Sequence, residues 1–286
     1  MKTITLKSSA DSTVYKNIHD DNSASITKEF STEEQCRREA QFISKLDCAI
    51  KFTSCESNNL HFPFLTSLES KLNTPLEETR ACKIMLQLCT ILQELRDKKI
   101  IHRDIKPSNL FFDAQKKILL NDFETALQES TETPKTTCGT PTYMPPEQFS
   151  NPKVTFRVDQ YAAGIVFFQM LCGTVPCIES DVKKLYILKQ EKYNPADINP
   201  KLSRTSNYIC STMIHPNPDQ RFNSITEITI LLQEAISSLN QKKHILEAPS
   251  VTIAATPRKN KKKLPFLYVG MTALAIYLLY RLSFQS

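Results

Sequence analysis

Two short motifs near the middle of the chain bring together the side chains most able to do chemistry. In His102-Arg103-Asp104-Ile105-Lys106-Pro107-Ser108-Asn109, a carboxylate is followed two residues later by an ammonium and five residues later by an amide. Asp122-Phe123-Glu124 places a second carboxylate eighteen residues beyond Asp104. Carboxylate and amide oxygens are the donors that a hard divalent cation takes. A lysine two residues from a carboxylate can pair with it or with another anion. Each of these residues alone reads as a turn or cap residue. Their joint spacing argues instead for a shared site.

The flanking pattern supplies the elements that must position them. A helix is predicted over Leu76–Lys98, with Ile84, Leu86, Leu88, Ile91, Leu92 and Leu95 on its buried side. It leads directly into the first motif. Residues 1–65 are β-rich, with strands predicted at Ile4–Lys7, Thr13–Asn17, Ala24–Phe30, Ile50–Phe52 and Leu60–Leu65. One helix interrupts them, opening with a Ser31/Glu34 capping box and running to about Leu46. Further helices are predicted at 146–150, 157–172, 180–190, 204–214 and 222–239. The layout is α+β, a small β-rich lobe followed by a larger helical one.

Composition narrows the functions available. A 41% hydrophobic share excludes a disordered chain, and there is no heptad or collagen-like repeat. Four glycines in 286 residues leave no room for a Gly-rich phosphate loop of the dinucleotide or Walker type. Six of the 36 Lys and Arg residues, and no acid, lie in 258–286, so 1–257 carries no net charge. Nucleic-acid binding, which needs clustered basic residues, is not expected. The nine cysteines show no CxxC spacing and read as reduced structural thiols. Cys82 and Cys89, seven apart on the predicted long helix, read as core residues.

Three later motifs complete the series. They are Gly139-Thr140-Pro141-Thr142-Tyr143-Met144-Pro145-Pro146-Glu147, then Asp159, then His215-Pro216-Asn217-Pro218-Asp219-Gln220-Arg221. In this order and spacing the chain resembles the eukaryotic-type Ser/Thr protein kinase family over about residues 4–240. The resemblance implies a two-lobed domain over 1–240, with an N-lobe of about 1–68 and a C-lobe of about 69–240. It implies ATP and Mg²⁺ (or Mn²⁺) as cofactors and protein hydroxyls as acceptors. Asp104 would be the catalytic base, Lys106 would neutralise the γ-phosphate, and Asn109 and Asp122 would hold the metal. Lysine at 106 fits the Ser/Thr form. Glu147 would pair with Arg221, and Asp159 would brace the catalytic loop. Lys28 aligns with the lysine that contacts the α- and β-phosphates. Glu39 would be its helix partner, with Glu34 as the alternative. Leu6, Val14, Ile26 and Phe111 would surround the nucleotide. Arg103 would hold a phosphorylated activation segment, with Thr136, four residues before Thr140, as the primary modification site.

Three departures stand out. Leu6-Lys7-Ser8-Ser9-Ala10-Asp11-Ser12-Thr13-Val14-Tyr15-Lys16 aligns with the family's glycine loop, yet Lys7, Ser9 and Ser12 replace its three glycines. Without glycine the backbone approaches a phosphate less closely, so ATP affinity should be poor unless Lys7 or Lys16 compensates by charge. Ile26 stands where the family has a small alanine, and Glu124 replaces the glycine of the Asp-Phe-Gly motif. A catalytically weak or inactive pseudokinase acting as a membrane-anchored scaffold is the alternative reading. The presence of Lys28, Glu39, Asp104, Lys106, Asn109 and Asp122 favours an enzyme.

Beyond a basic linker at 241–263, the stretch Leu264–Tyr280 is seventeen residues without a charge. At about 1.5 Å per residue it spans roughly 25 Å, within the range of a short membrane helix. The preceding RKNKKK block places the domain on the cytosolic side. A C-terminal transmembrane tail anchor is expected at 264–281, putting the lipid bilayer and proteins near it among the partners. Met1–Ser9 lacks the apolar core of a signal peptide.

Overall fold

The computed structural model describes residues 1–129, 138–150 and 154–247. The basic linker beyond 247, the predicted membrane span and Thr136 lie outside the described residues. Among those described, no helix is long and apolar enough to cross a membrane. Residues Met1–Leu246 form one compact unit.

Strands β1 (Lys2–Ser8), β2 (Ser12–Ile18) and β3 (Ala24–Phe30) pair antiparallel, and helix α1 (Glu33–Lys45) follows. Strands β4 (Ser54–Glu56) and β5 (Asn59–Pro63) complete a five-stranded sheet of order β1-β2-β3-β5-β4. The strand expected at Ile50–Phe52 is absent; Ala49 makes an isolated parallel bridge to Leu120, and the pairing strand lies at Ser54–Glu56. Helix α1 is capped one residue later than expected. Thr32 accepts from the Gln35 N–H, and the Gln35 side chain accepts from the Thr32 N–H. Glutamine completes a capping box as well as glutamate does.

Alternation along β3 turns Lys28 and Phe30 to the buried side, with the Lys28 ammonium 5.0 Å from the Phe30 ring centre. The inner face of α1 carries Cys36, Glu39, Phe42 and Ile43. Glu39 therefore sits on an apolar stripe, where a carboxylate requires a partner.

After β6 (Thr66–Ser67), helix α2 (Glu78–Asp97) buries Ile84, Met85, Leu88, Ile91, Leu92 and Leu95, together with Cys82 and Cys89. Leu86 is only partly covered. Strand β7 (Ile100–Ile101) leads into the first motif, which is followed by β8 (Leu110–Phe112) and β9 (Ile118–Leu120). β6, β8 and β9 form a three-stranded sheet, and β10 (Leu127–Gln128) pairs with β7. The loop between β7 and β8 carries the first motif and the turn after β9 carries the second, so both lie on one platform.

Helices α3 (Pro146–Ser150), α4 (Arg157–Cys172), α5 (Val182–Leu188), α6 (Arg204–Met213) and α7 (Ile225–Glu247) follow. α4 is buried almost all round and packs against α2 and α6, as expected of a central helix. It ends at Gly173 with φ 74°, the left-handed C-cap that glycine adopts without strain.

Candidate active site

Lys28, Glu39 and Asp122 meet beneath the five-stranded sheet. The Lys28 ammonium lies 2.7 Å from Glu39 Oε2, 2.8 Å from Asp122 Oδ1 and 3.3 Å from Glu124 Oε2. Glu39 is the partner of Lys28; Glu34 is exposed. Glu39, Asp122 and Glu124 bring carboxylate oxygens within 4.8 Å of one another. The shared ammonium contacts all three. Burial opposes its charge, but Glu39 and Asp122 outweigh burial and raise the Lys28 pKa. Burial also acts against the Asp122 carboxylate, yet Lys28 and Lys7 hold its pKa well below the usual range. Glu39 is the more deeply buried carboxyl. Burial pushes its pKa up to about 7 against the pull of Lys28, with Asp122 and Glu124 adding to the rise.

Asp104 lies in the other motif of the platform. Its Oδ1 accepts from the Thr140 N–H at 2.8 Å and the Thr140 hydroxyl at 2.7 Å. Its Oδ2 accepts from Lys106 Nζ at 2.6 Å and Asn109 Nδ2 at 3.2 Å. Lys106 also reaches Thr140 Oγ1 at 2.6 Å. Thr140, read from the sequence as a residue of the activation segment, thus also bonds Asp104 and Lys106, a contact that its sequence position did not reveal. Asn109 spends its amide N–H groups on Asp104, leaving its oxygen for a cation. With Asp122, it gives the hard oxygen set that Mg²⁺ prefers, so the residues present fit a divalent ion.

The loop that carries Asp104 is held from below. Asp159 on α4 accepts the His102 N–H at 2.7 Å and the Arg103 N–H at 2.8 Å. Arg103 takes φ 67°, and the carboxylate secures both amides beside that left-handed residue. Burial raises the Asp159 pKa to about 6 against those two hydrogen bonds. Burial also lowers the His102 pKa, against the pull of Asp104 and Asp122. The imidazole Nε2 faces the Asn121 carbonyl at 3.1 Å, and its Nδ1 accepts the Asp104 N–H at 3.3 Å. These partners put the proton on Nε2. Its ring meets Phe123 edge-on at 4.9 Å.

Gly139 lies against this loop with φ 114°, and a Cβ there would meet the Arg103 carbonyl at 2.5 Å. Glu147 and Arg221 form a bidentate pair at 2.6 and 2.9 Å. Arg221 is buried and also donates to the His215, Arg157 and Pro216 carbonyls. Glu124 tolerates its side chain because Asp122, not Glu124, adopts positive φ in this motif. That side chain accepts from Ser12 Oγ at 2.9 Å, tying the motif to the β1–β2 hairpin. Arg38 on α1 and Arg103 converge on the same segment, donating to the Glu124 and Ala126 carbonyls and to the Thr125 carbonyl.

A cleft between sheet and platform is lined by Leu6, Val14, Phe111, Lys106, Asn109 and Asp122, among others. Ile26 is not among its lining residues and packs partly buried against the core.

Comparison with known proteins agrees with this geometry. A family model described as "Protein kinase domain" matches residues 2–234. A probable serine/threonine-protein kinase PLK of Dictyostelium discoideum is 33% identical over 63% of this chain and 19% of its own length. The serine/threonine-protein kinase PknD of Mycobacterium tuberculosis is 29% identical over 67% of this chain and 31% of its own. PrkC of Bacillus subtilis, also a serine/threonine-protein kinase, is 26% identical over 77% of this chain and 37% of its own. The chain thus spans well under half the length of these curated relatives.

Proposed function

The chain belongs to the protein kinase domain family, and on that premise we propose that it transfers the γ-phosphoryl group of ATP to Ser or Thr hydroxyls of proteins. The observation that carries this reading is the clustering of Lys28 and Glu39 with Asp122, and of Lys106, Asn109 and Thr140 with Asp104, with Lys106, Asn109 and Asp122 lining one cleft. Phosphoryl transfer needs positioning and charge neutralisation more than covalent chemistry. Asp104 accepts the acceptor hydroxyl's hydrogen bond and aims its oxygen. Lys106, already on Asp104, neutralises charge gathering on the transferred group. Lys28, anchored by Glu39, holds the α- and β-phosphates. Asn109 and Asp122 would hold Mg²⁺, which supplies Lewis-acid neutralisation of the phosphate oxygens when bound.

The full chain in detergent, with MgATP and a generic protein substrate, tests this. Transfer should be present in wild type and fall at least about a hundredfold in Asp104→Asn. No transfer in wild type refutes turnover and favours the scaffold reading. The convergence of Arg38 and Arg103 supports control by phosphorylation of the segment around Thr136. Intact mass of active protein without added phosphate would dismiss that control.

The uncharged stretch 264–280 behind a basic block supports attachment to a membrane, with the domain on the cytosolic face. Alkaline extraction should leave the chain in the membrane pellet. Leu274→Arg, costing about 3 kcal/mol at a span centre, should release a substantial part of it. Full extraction of wild type would refute the span.

A further inference from the structure

The β1–β2 hairpin cannot cradle a phosphate with its backbone, because it has closed on itself. The Ser9 N–H and the Ser9 hydroxyl both donate to the Ser12 carbonyl, at 2.8 and 3.0 Å. The Ser12 and Asp11 N–H groups donate back to the Ser9 hydroxyl, at 3.0 and 3.3 Å. The Ser12 hydroxyl is engaged by Glu124. Three amides that a glycine-rich loop would offer to a phosphate are thus spent inside the turn. A site for a polyanion needs another source of positive charge on this wall.

Lys7 is that source. A β-bulge at Leu6, between the Thr5–Tyr15 and Lys7–Val14 pairs, shifts the alternation of β1 just before Lys7. The Lys7 side chain lines the cleft, with its ammonium 3.2 Å from Asp122 Oδ2. Lys16, the other lysine of the hairpin that could serve, instead lies over the Phe64 ring at 4.0 Å and is not among the lining residues. The two cations on Asp122 are not equivalent. Lys28 holds Oδ1 with a side chain 6% exposed, whereas Lys7 holds Oδ2 with one 52% exposed. Lys7 is the partner able to leave Asp122 without stranding a buried charge.

We infer that Lys7 is the polyphosphate-binding cation of this cleft, taking over the task that loop amides cannot perform. It rests on Asp122 in the free protein. When a nucleoside triphosphate enters, it transfers to the phosphate oxygens, which leaves Asp122 Oδ2 to the divalent cation. The inference rests on the nucleotide reading above and adds to it a binding residue that the glycine-loop pattern does not contain.

Calorimetry on the full chain in detergent tests it, with ATP in EDTA, ATP with Mg²⁺, and adenosine as ligands. The proteins are wild type, Lys7→Met and Lys7→Arg. One charge-assisted phosphate contact is worth about tenfold in affinity. Lys7→Met should weaken ATP about tenfold in EDTA and in Mg²⁺, and keep adenosine within about twofold. Lys7→Arg should restore ATP binding. Equal ATP affinities in wild type and Lys7→Met, or a parallel loss of adenosine binding, would overturn the assignment alone. A wild-type chain that binds neither ligand would overturn the nucleotide reading and this assignment with it.

Discussion

Replacing Asp159 with Asn should change how stability depends on pH. The Asp159 carboxyl is 2% exposed and accepts two backbone N–H groups. Burial raises its pKa to about 6, against about 3.9 in the unfolded chain. A raised folded pKa means that the native state holds the proton more tightly. The associated stability is complete below the unfolded pKa and is lost as pH rises through about 6. At ~1.4 kcal/mol per pH unit the full loss is about 3 kcal/mol, of which about 2 falls between roughly pH 4.5 and 7.5. Asparagine does not titrate, so wild type should lose about 2 kcal/mol relative to Asp159→Asn over that interval. Urea unfolding of both proteins at the two pH values measures the difference, and other titrating groups cancel. A wild-type minus variant gap that does not move with pH refutes the raised pKa. At any pH the asparagine turns an N–H donor toward one loop amide, so phosphotransfer should fall even where stability does not.

Glu147→Gln leaves the Arg221 guanidinium buried without its counter-charge. Removing one partner of such a pair costs about 3–5 kcal/mol; a denaturation loss under about 1 kcal/mol would show that the three carbonyls suffice. Gly139→Ala places a Cβ 2.5 Å from the Arg103 carbonyl at φ 114°. It should cost at least about 2 kcal/mol and depress transfer, because relief requires moving the residue before Asp104; thermal unfolding and turnover check both. Glu124→Gly removes the acceptor of Ser12. Amide exchange at residues 8–13 should quicken by about fivefold while the β2–β3 pairing stays protected, and unchanged exchange would show that the turn holds itself.

The chain's own residue order determined most of the site. His102–Asn109, Asp122 and Gly139–Glu147 carry their chemistry in fixed spacings, and short connections leave little freedom in where they lie. The strong 3.6-residue apolar periodicity of 76–98 located the long helix from local sequence alone. Local signals of nearly equal strength were decided elsewhere. Ser31/Glu34 and Thr32/Gln35 are both acceptable caps, and the second prevailed in the folded chain. Ile50–Phe52 has strand character, but beyond the Ile50 N–H bond to Leu120 of β9 it forms no ladder, whereas Ser54–Glu56 pairs with β5.

Tertiary structure alone decided which distant groups share a charge. No spacing rule connects Thr140 to Asp104, or Ser12 to Glu124, across separations of 36 and 112 residues. Replacement of the loop glycines was visible in the sequence, but its consequence was not. Only the folded hairpin showed its N–H groups spent on the Ser12 carbonyl and the Ser9 hydroxyl, and Lys7, rather than Lys16, facing Asp122. Residue type sets what a side chain can do. Its partners, and hence its pKa and its role, are set by the long-range packing that brings it to them.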